Sequence, residues 1–224
     1  MPSAVEANLP PTNEGYGTHE YWEQRYANEA NGTTFDWFLS PTYLLPLFEE
    51  LTTHDNGKGK GKETRILTLG CGNSALGEVL YDNGWENIVN IDYSKIVIDQ
   101  MKERHISRPK MEWLEMDILN LGFGDDEFDL VVDKGTMDAM LTTKGDPWNP
   151  DEKDVRTCTQ EVTEAIRVLR KRPGSKFVYF TFGQPHFRKR YMENRPGFKL
   201  SHKEIGPPEG FGYFMYILEY VGDQ

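Results

Sequence analysis

The stretch Ile66-Leu67-Thr68-Leu69-Gly70-Cys71-Gly72-Asn73-Ser74-Ala75 is a short apolar run that breaks into a glycine-rich turn. Gly70 and Gly72 let the backbone turn tightly and approach a ligand without a Cβ atom in the way, just where a following helix exposes its first N–H groups. An acidic residue, Asp92, lies twenty-two positions after Gly70 and closes a second apolar run. A carboxylate there can accept hydrogen bonds from both hydroxyls of a ribose. The pattern predicts a Rossmann-type adenosine site; the alternative is an ordinary strand-turn-helix connection with two glycines.

The composition is that of one intracellular α/β domain. A chain of 224 residues can bury roughly 70% of its unfolded surface, so no second domain is required. Its two cysteines provide neither a disulfide framework nor a metal-ligand spacing, which favours a reducing compartment. The N-terminus lacks a basic region with an apolar core, and no apolar run approaches the roughly 20 residues of a membrane span. We therefore expect a cytoplasmic protein.

The charge of the chain bears on its partners. A net charge of −11 argues against binding to nucleic acid, whose phosphates are recognised by clustered Lys and Arg. A basic protein partner fits this charge better, although an acidic surface that serves solubility explains it equally well. We expect no nucleic-acid or membrane partner, and we expect a monomer.

Strands and helices alternate along most of the chain. We expect a disordered tail over 1–15 and a single domain over 16–224, made of an aromatic helical cap over 16–50 and a Rossmann-like core over 64–224. Helices are predicted near 21–26, 43–48, 74–83, 96–101 and 158–170. The predicted strands are 65–69, 87–92, 111–116, 128–133, 177–182, 198–203 and 211–220.

The end of the chain departs from a dehydrogenase, which would continue with alternating strands and helices. Its last two predicted strands are joined by a Gly- and Pro-rich turn at 206–210 and read as a hairpin. We predict a seven-stranded, mostly parallel sheet in which 211–220 runs antiparallel beside the fifth strand. A terminal hairpin on a parallel sheet is typical of seven-stranded methyltransferases that use S-adenosylmethionine (SAM).

Four motifs carry a specific resemblance. They are Leu69-Gly70-Cys71-Gly72-Asn73-Ser74, Asn90-Ile91-Asp92-Tyr93-Ser94, Glu115-Met116-Asp117 and Val132-Asp133-Lys134-Gly135-Thr136-Met137-Asp138-Ala139. From about Tyr16 to Tyr220, the chain resembles the methyltransferase-like branch that methylates lysines of eukaryotic translation elongation factor one-alpha. The resemblance implies a class I methyltransferase fold, SAM as cofactor with S-adenosylhomocysteine as product, no metal, and a folded protein as substrate.

The resemblance also implies roles for individual residues. Those assigned to the cofactor are three aromatic residues that close the pocket, two turn glycines, two ribose and adenine contacts, two residues at the adenine edge, and one further contact: Trp22, Tyr26, Trp37, Gly70, Gly72, Asp92, Tyr93, Asp117, Ile118 and Lys134. Spacing agrees for Trp22 and Tyr26, which share a helical face, and electron-rich rings attract a nearby sulfonium by about 0.5–2 kcal/mol.

Simpler interpretations remain open for several of these residues. The aromatic side chains could merely cover the core. Asp117 could cap a helix instead of accepting the adenine amino group. Lys134 could meet the methionine carboxylate, orient a backbone carbonyl, or be a surface lysine.

Asp133 is the residue predicted to receive the substrate amine. A lysine amine with a solution pKa near ~10.4 is protonated at neutral pH and must lose that proton before it attacks a methyl group. Asp133 lies at the carboxyl end of the fourth predicted strand, beside the expected cofactor. A relative in the family that the chain resembles has Glu at this position. Asp is one methylene shorter, so the resemblance does not establish how far its carboxylate reaches.

Other reaction classes fit less well. The fourth strand lacks the Asn/Asp-Pro-Pro-Tyr/Phe sequence of enzymes that methylate amide or base nitrogens, and we find no acidic cluster for a magnesium-dependent catechol enzyme. The five histidines form no evident oxidoreductase constellation. A small-molecule methyltransferase and a non-catalytic nucleotide-binding module remain as alternatives. Trp148 and the segment Pro185-His186-Phe187-Arg188 are predicted to flank the ligand-binding edge of the sheet.

Overall fold

The computed structural model describes residues 9–30, 32–53 and 60–222. Seven α-helices lie within these ranges: α1 His19–Asn28, α2 Pro41–Thr52, α3 Leu76–Asp82, α4 Lys95–Arg104, α5 Thr136–Met140, α6 Glu152–Val168 and α7 Pro185–Arg188. The strands are β1 Ile66–Leu69, β2 Ile88–Asp92, β3 Glu112–Glu115, β4 Leu130–Lys134, β5 Lys176–Thr181, β6 Phe198–Ile205 and β7 Tyr213–Tyr220. No helix among the described residues is both long and apolar enough to cross a membrane.

The strands form one seven-stranded sheet in the order β3-β2-β1-β4-β5-β7-β6. β1 to β5 are parallel, and β7 lies antiparallel between β5 and β6. The predicted sheet, with its antiparallel last strand beside the fifth, is therefore confirmed. The strand predicted from residue 211 begins at Tyr213, because exposed Phe211 precedes the first paired residue.

Helices cover both faces of the sheet. On one face, apolar residues of α1, α2, α3 and α4 pack against alternate strand residues such as Val132 and Val178. On the other face, α6 packs its Val162 and Ala165 against the intervening strand residues, such as Val131. Because both faces are covered, the central strands are apolar throughout rather than alternating.

Polar caps set the ends of two helices that matter for the site. The Thr18 hydroxyl accepts a hydrogen bond from the Tyr21 N–H at the start of α1. The Asp151 carboxylate accepts one from the Lys153 N–H, so α6 begins at Glu152, six residues before the predicted start. Of the tail predicted to be disordered, residues 1–8 lie outside the described residues, and the predicted boundary at residue 16 falls inside a 3-10 helix, Asn13–Gly17.

Candidate functional site

A cavity of about 510 Å³ opens at the carboxyl ends of the parallel strands. This is where the strand order reverses around β1, with β2 on one side and β4 on the other, and such switch points bind ligands in open α/β sheets. The cavity is lined by all ten residues predicted to contact the cofactor: Trp22, Tyr26, Trp37, Gly70, Gly72, Asp92, Tyr93, Asp117, Ile118 and Lys134.

The glycine turn after β1 forms the floor of the cavity. Gly70 and Gly72 have φ angles of +57° and +50°, in the left-handed region that glycine adopts without strain. A Cβ on Gly70 would overlap Thr136 Oγ1, and one on Gly72 would lie 2.7 Å from the hydroxyl oxygen of Tyr26. Both glycines are therefore required by close packing as well as by backbone conformation.

Asp92 presents a buried carboxylate to the cavity at the end of β2. Its Oδ2 accepts a hydrogen bond from the Gly72 N–H at 2.9 Å, and its Oδ1 accepts one from the Ser94 N–H, also at 2.9 Å. A carboxylate has about four acceptor positions, so capacity remains for two ligand hydroxyls. Burial raises the pKa of Asp92 to about 6, although the two backbone N–H groups favour its charged form.

Aromatic rings form one wall. The rings of Trp22 and Tyr26 stack with centroids 5.7 Å apart, and Trp37 lies 6.4 Å from Trp22. The Trp22 indole N–H donates to the Tyr16 carbonyl oxygen at 2.7 Å, which fixes the ring orientation. Tyr16 also lines the cavity, although no motif in the sequence predicts a role for it. Such a wall attracts a cationic ligand group through the electron-rich ring faces.

Lys134 joins this wall to the sheet. Its ammonium donates to the Trp37 carbonyl oxygen at 3.2 Å and lies 3.1 Å from Asp36 Oδ1. Asp36 in turn accepts hydrogen bonds from the Ser74 hydroxyl and the Ala75 N–H beside the glycine turn. Burial lowers the pKa of Lys134, and the nearby Asp36 opposes that effect. Three roles were considered for Lys134, and its hydrogen bond to the Trp37 carbonyl oxygen matches one of them, the orientation of a backbone carbonyl.

Comparison with known proteins agrees with this geometry. Residues 66–146 match the model of a methyltransferase domain family. The chain is 37% identical over 220 residues to EEF1A lysine methyltransferase 4 of Bos taurus, which covers 97% of this chain and 81% of that protein. The Mus musculus protein of the same name is 38% identical over 212 residues, with coverage of 94% and 78%. The chain belongs to this methyltransferase family.

One further relative and two solved structures are also similar to this chain. The methyltransferase is 39% identical over 183 residues to the eEF1A lysine and N-terminal methyltransferase of Mus musculus, across 81% of this chain but 24% of that longer protein. Among solved structures, magnesium protoporphyrin IX methyltransferase from Synechocystis PCC 6803 with bound SAM has a TM-score of 0.55 at 12% identity, covering 92% and 94% of the two chains. A second solved structure, described by the words "Conversion of a Disulfide Bond into a Thioacetal Group during Echinomycin Biosynthesis", has a TM-score of 0.61 at 17% identity, with coverage of 91% and 93%. The fold is that of class I SAM-dependent methyltransferases.

The part of the methyltransferase cavity that is predicted to hold the adenine is more open than the rest. Tyr93 is partly exposed, and the His19 ring meets its ring edge-on with centroids 4.6 Å apart. Asp117 Oδ1 accepts a hydrogen bond from the Leu119 N–H at 2.9 Å, so one carboxylate oxygen is used in a local turn. Ile118 is buried next to it and supplies an apolar surface.

The predicted role of Asp133 as the group that receives the substrate amine requires a correction. Along β4 the side chains alternate, so Val132 and Lys134 line the cavity, whereas Asp133 points to the opposite face of the sheet. Its carboxylate is 0% exposed and accepts hydrogen bonds from the Thr136 N–H at 2.7 Å and the Met137 N–H at 2.9 Å. Asp133 therefore holds the first turn of α5 and has no surface with which to receive a substrate amine.

The cavity extends beyond the predicted residues into a second part, which we call the threonine compartment. It is lined by Glu14, Thr142, Thr143, Lys153, Asp154 and Thr157. These residues come from the N-terminal 3-10 helix, the loop after α5 and the first two turns of α6. The prediction missed them because it began α6 at Cys158; the capping Asp151 with acidic residues in the next turn is the signal that could have found them.

The two segments predicted to flank the site contact one another. The exposed Trp148 ring stacks on His186 with centroids 4.9 Å apart and an interplanar angle of 14°, and Phe187 lies 5.0 Å from Trp148. The Arg190 guanidinium donates to the Trp148 carbonyl oxygen at 3.2 Å. We call Trp148, His186 and Phe187 the aromatic surface.

Proposed function

We propose that this methyltransferase transfers a methyl group from SAM to a lysine side chain of folded translation elongation factor one-alpha. The observation that carries the proposal is the similarity over nearly the whole chain to two proteins named EEF1A lysine methyltransferase 4. The charge of −11 suits a basic protein partner. We further propose that it acts in the cytoplasm as a monomer, without nucleic-acid or membrane partners.

The cavity fits SAM in several chemical respects. The Asp92 carboxylate can accept hydrogen bonds from the ribose hydroxyls, and the glycine turn allows close approach of the ligand to the backbone. Tyr93, Asp117 and Ile118 would surround the adenine, and Trp22 would face the sulfonium. When bound, SAM supplies a methyl group already activated by its positive sulfur, so the proposed reaction needs no metal. The protein must align the reactants and exclude water.

The aromatic surface supports a folded substrate rather than a free peptide. Trp148, His186 and Phe187 form an exposed cluster built from two separate segments of the chain. We propose that this cluster contacts a surface of the elongation factor. Long-range attraction between an acidic enzyme and a basic partner is screened beyond ~8 Å at physiological ionic strength, so association should slow as salt rises.

The test is methyl transfer from isotope-labelled SAM to purified elongation factor, followed by mass spectrometry to locate the label. We expect labelling of one lysine in the folded factor, little labelling of a peptide that spans it, and none after its substitution by Arg. Efficient labelling of the peptide would contradict recognition of a folded surface. Undiminished labelling of a factor that lacks every candidate lysine would exclude lysine as the acceptor, and no labelling of the factor would favour a small-molecule substrate.

A further inference from the structure

We infer that the threonine compartment receives the substrate lysine and that the Asp154 carboxylate is the group that accepts its amine. This inference rests on the proposed function, since it assumes a lysine substrate. The compartment and the cofactor residues line the same cavity, so an amine held in one part has a direct path to a methyl group held in the other.

Asp154 is a buried carboxylate with unused capacity. It is 7% exposed, yet it lines the cavity. The Thr143 hydroxyl donates to its Oδ1 at 2.9 Å, and its Oδ2 accepts no hydrogen bond from the described residues. The residue lies in the first turn of α6, a helix of 17 residues, where the helix dipole favours a negative charge. Buried acceptors are normally hydrogen-bonded, so the free Oδ2 of Asp154, which faces the cavity, is suited to a ligand that donates a hydrogen bond.

The walls suit the aliphatic part of a lysine. The hydroxyls of all three threonines are engaged within the protein: Thr142 donates to the Ala139 carbonyl oxygen, Thr143 to Asp154, and Thr157 to the Lys153 carbonyl oxygen. Each hydroxyl proton is thus used within the protein, so these side chains can offer a ligand only methyl groups and oxygen lone pairs. A lysine side chain pairs four methylenes with a terminal ammonium that only donates hydrogen bonds, which matches threonine-lined walls that lead to a carboxylate.

A lysine of the chain already contacts the rim of the compartment. The Lys144 ammonium lies 3.4 Å from Glu14 Oε1, and its side chain is 85% exposed. Glu14 lines the cavity, so this rim carboxylate is placed to attract an ammonium group. A substrate lysine that enters past Glu14 would displace Lys144 and continue inward to Asp154.

The chemistry balances with Asp154 as the proton acceptor. The substrate ammonium gives one proton to the Asp154 carboxylate and becomes a neutral amine. The nitrogen lone pair then forms the new N–C bond to the methyl carbon while the C–S bond breaks and its electron pair stays on sulfur. The positive charge moves from sulfur to the methylated nitrogen, and Asp154 later returns its proton to solvent.

The decisive variant is Asp154→Asn, which keeps an oxygen for the Thr143 hydroxyl but removes the charge. We expect kcat/KM for the elongation factor to fall by about 100-fold or more, the usual scale for loss of a positioned base. The dissociation constant of SAM, measured by calorimetry, should stay within about twofold, in line with the absence of Asp154 from the cofactor residues. The control is Asp99→Asn, which changes an exposed carboxylate of α4 outside the cavity and should keep wild-type activity.

Two further variants keep the inference testable if Asp154→Asn does not fold. Thr157→Phe fills the compartment without altering Asp154 and should abolish methyl transfer while SAM still binds. Lys144→Met removes the competing ammonium and should lower KM for the factor by up to about fivefold, the range of one exposed ion pair.

The outcomes separate the two proposals. If the unsubstituted enzyme does not label the elongation factor, the proposed function fails whatever Asp154 does. If that enzyme labels the factor and Asp154→Asn or Thr157→Phe labels it equally well, the inference alone is overturned. Loss of SAM binding together with activity in Asp154→Asn would place Asp154 in the cofactor site and would also overturn its role as amine acceptor.

Discussion

The ends of β2 and β4 look alike in sequence and differ in use. Each strand is mostly apolar and carries a buried aspartate, Asp92 as the last residue of β2 and Asp133 as the last but one of β4, and burial raises the pKa of both. Asp92 is held by the N–H groups of Gly72 and Ser94 and faces the cavity, whereas Asp133 binds the start of α5 on the other face. An acidic residue near the end of an apolar strand thus predicts a buried carboxylate. Whether a ligand can contact that carboxylate depends on the face of the sheet to which the side chain points.

The largest effect should come from Asp92→Ala. Loss of the ribose contacts should weaken SAM binding by about 1.5–3 kcal/mol, the scale of hydrogen bonds to a charged group. Calorimetry on protein with a native melting transition measures this directly. Asp99→Ala, which removes an exposed carboxylate of α4, serves as the control and should bind SAM normally. Unchanged affinity in Asp92→Ala would mean that the ribose assignment is wrong.

Asp133→Ala should have the opposite profile. The substitution removes the acceptor of two N–H groups at the start of α5, so the free energy of unfolding should fall by about 1–2 kcal/mol, as for loss of a helix cap. SAM affinity should remain within about twofold. Urea unfolding and calorimetry on the same sample provide both numbers. A loss of affinity as large as that of Asp92→Ala would instead place Asp133 in the cofactor site.

The raised pKa of Asp92 predicts a pH dependence of SAM binding. Ribose hydroxyls donate to the ionised carboxylate and favour it, so binding should lower this pKa from about 6 and release a proton. Affinity should therefore rise with pH through about 6, by at most about tenfold per pH unit, and level off above pH 7. Calorimetry in two buffers of different ionisation enthalpy detects the released proton. The same slope in Asp92→Ala would assign the titration to another group.

The smallest effect concerns Glu161, which lies buried beside Asp133. Two carboxyl groups so close in an apolar site cannot both ionise, and burial together with Asp133 raises the pKa of Glu161 well above its ordinary value. The native state therefore holds protons that the unfolded chain loses above about pH 4–5, so this pair favours folding less as pH rises.

Glu161→Gln replaces a carboxyl group that takes up a proton on folding by an amide that does not titrate, and the amide can still donate a hydrogen bond to Asp133. We expect wild-type stability near pH 4.5 and a gain of about 1 kcal/mol at pH 8, measured by urea unfolding at both values. A variant that is less stable than the wild type at pH 8 would show that the Glu161 carboxylate is used in its charged form.

The sequence was enough to predict the sheet and many of the residues that line the cavity, because both depend on local signals. Apolar runs of strand length, the turn at Gly70 and the acid at Asp92 follow one another along the chain, and parallel strands bring their carboxyl ends to one edge. The face on which Asp133 lies could not be predicted in this way. Val131 and Val132 are equally apolar because helices cover both sides of β4, so no alternation reveals which side carries the cavity.

The threonine compartment was missed for a different reason. Its lining combines Glu14 from the N-terminal 3-10 helix with Asp154 from α6, which are 140 positions apart in the chain. Their proximity depends on how the N-terminal segment packs over α5, where Gly17 comes close to Thr142. The first two turns of α6 are also mostly polar, which makes them resemble a loop until Asp151 is recognised as a cap.

The distribution of tryptophans gives the molecule built-in optical reporters. Of the five tryptophans, Trp22 and Trp37 line the cavity, whereas Trp85 and Trp113 are buried away from it. Trp148 stands apart on the aromatic surface. A small ligand that enters the cavity should therefore change the emission of the first two, while a docked macromolecule should quench or shift Trp148. With Trp148→Phe to separate the signals, intrinsic fluorescence can follow cofactor and protein binding in a single unlabelled sample.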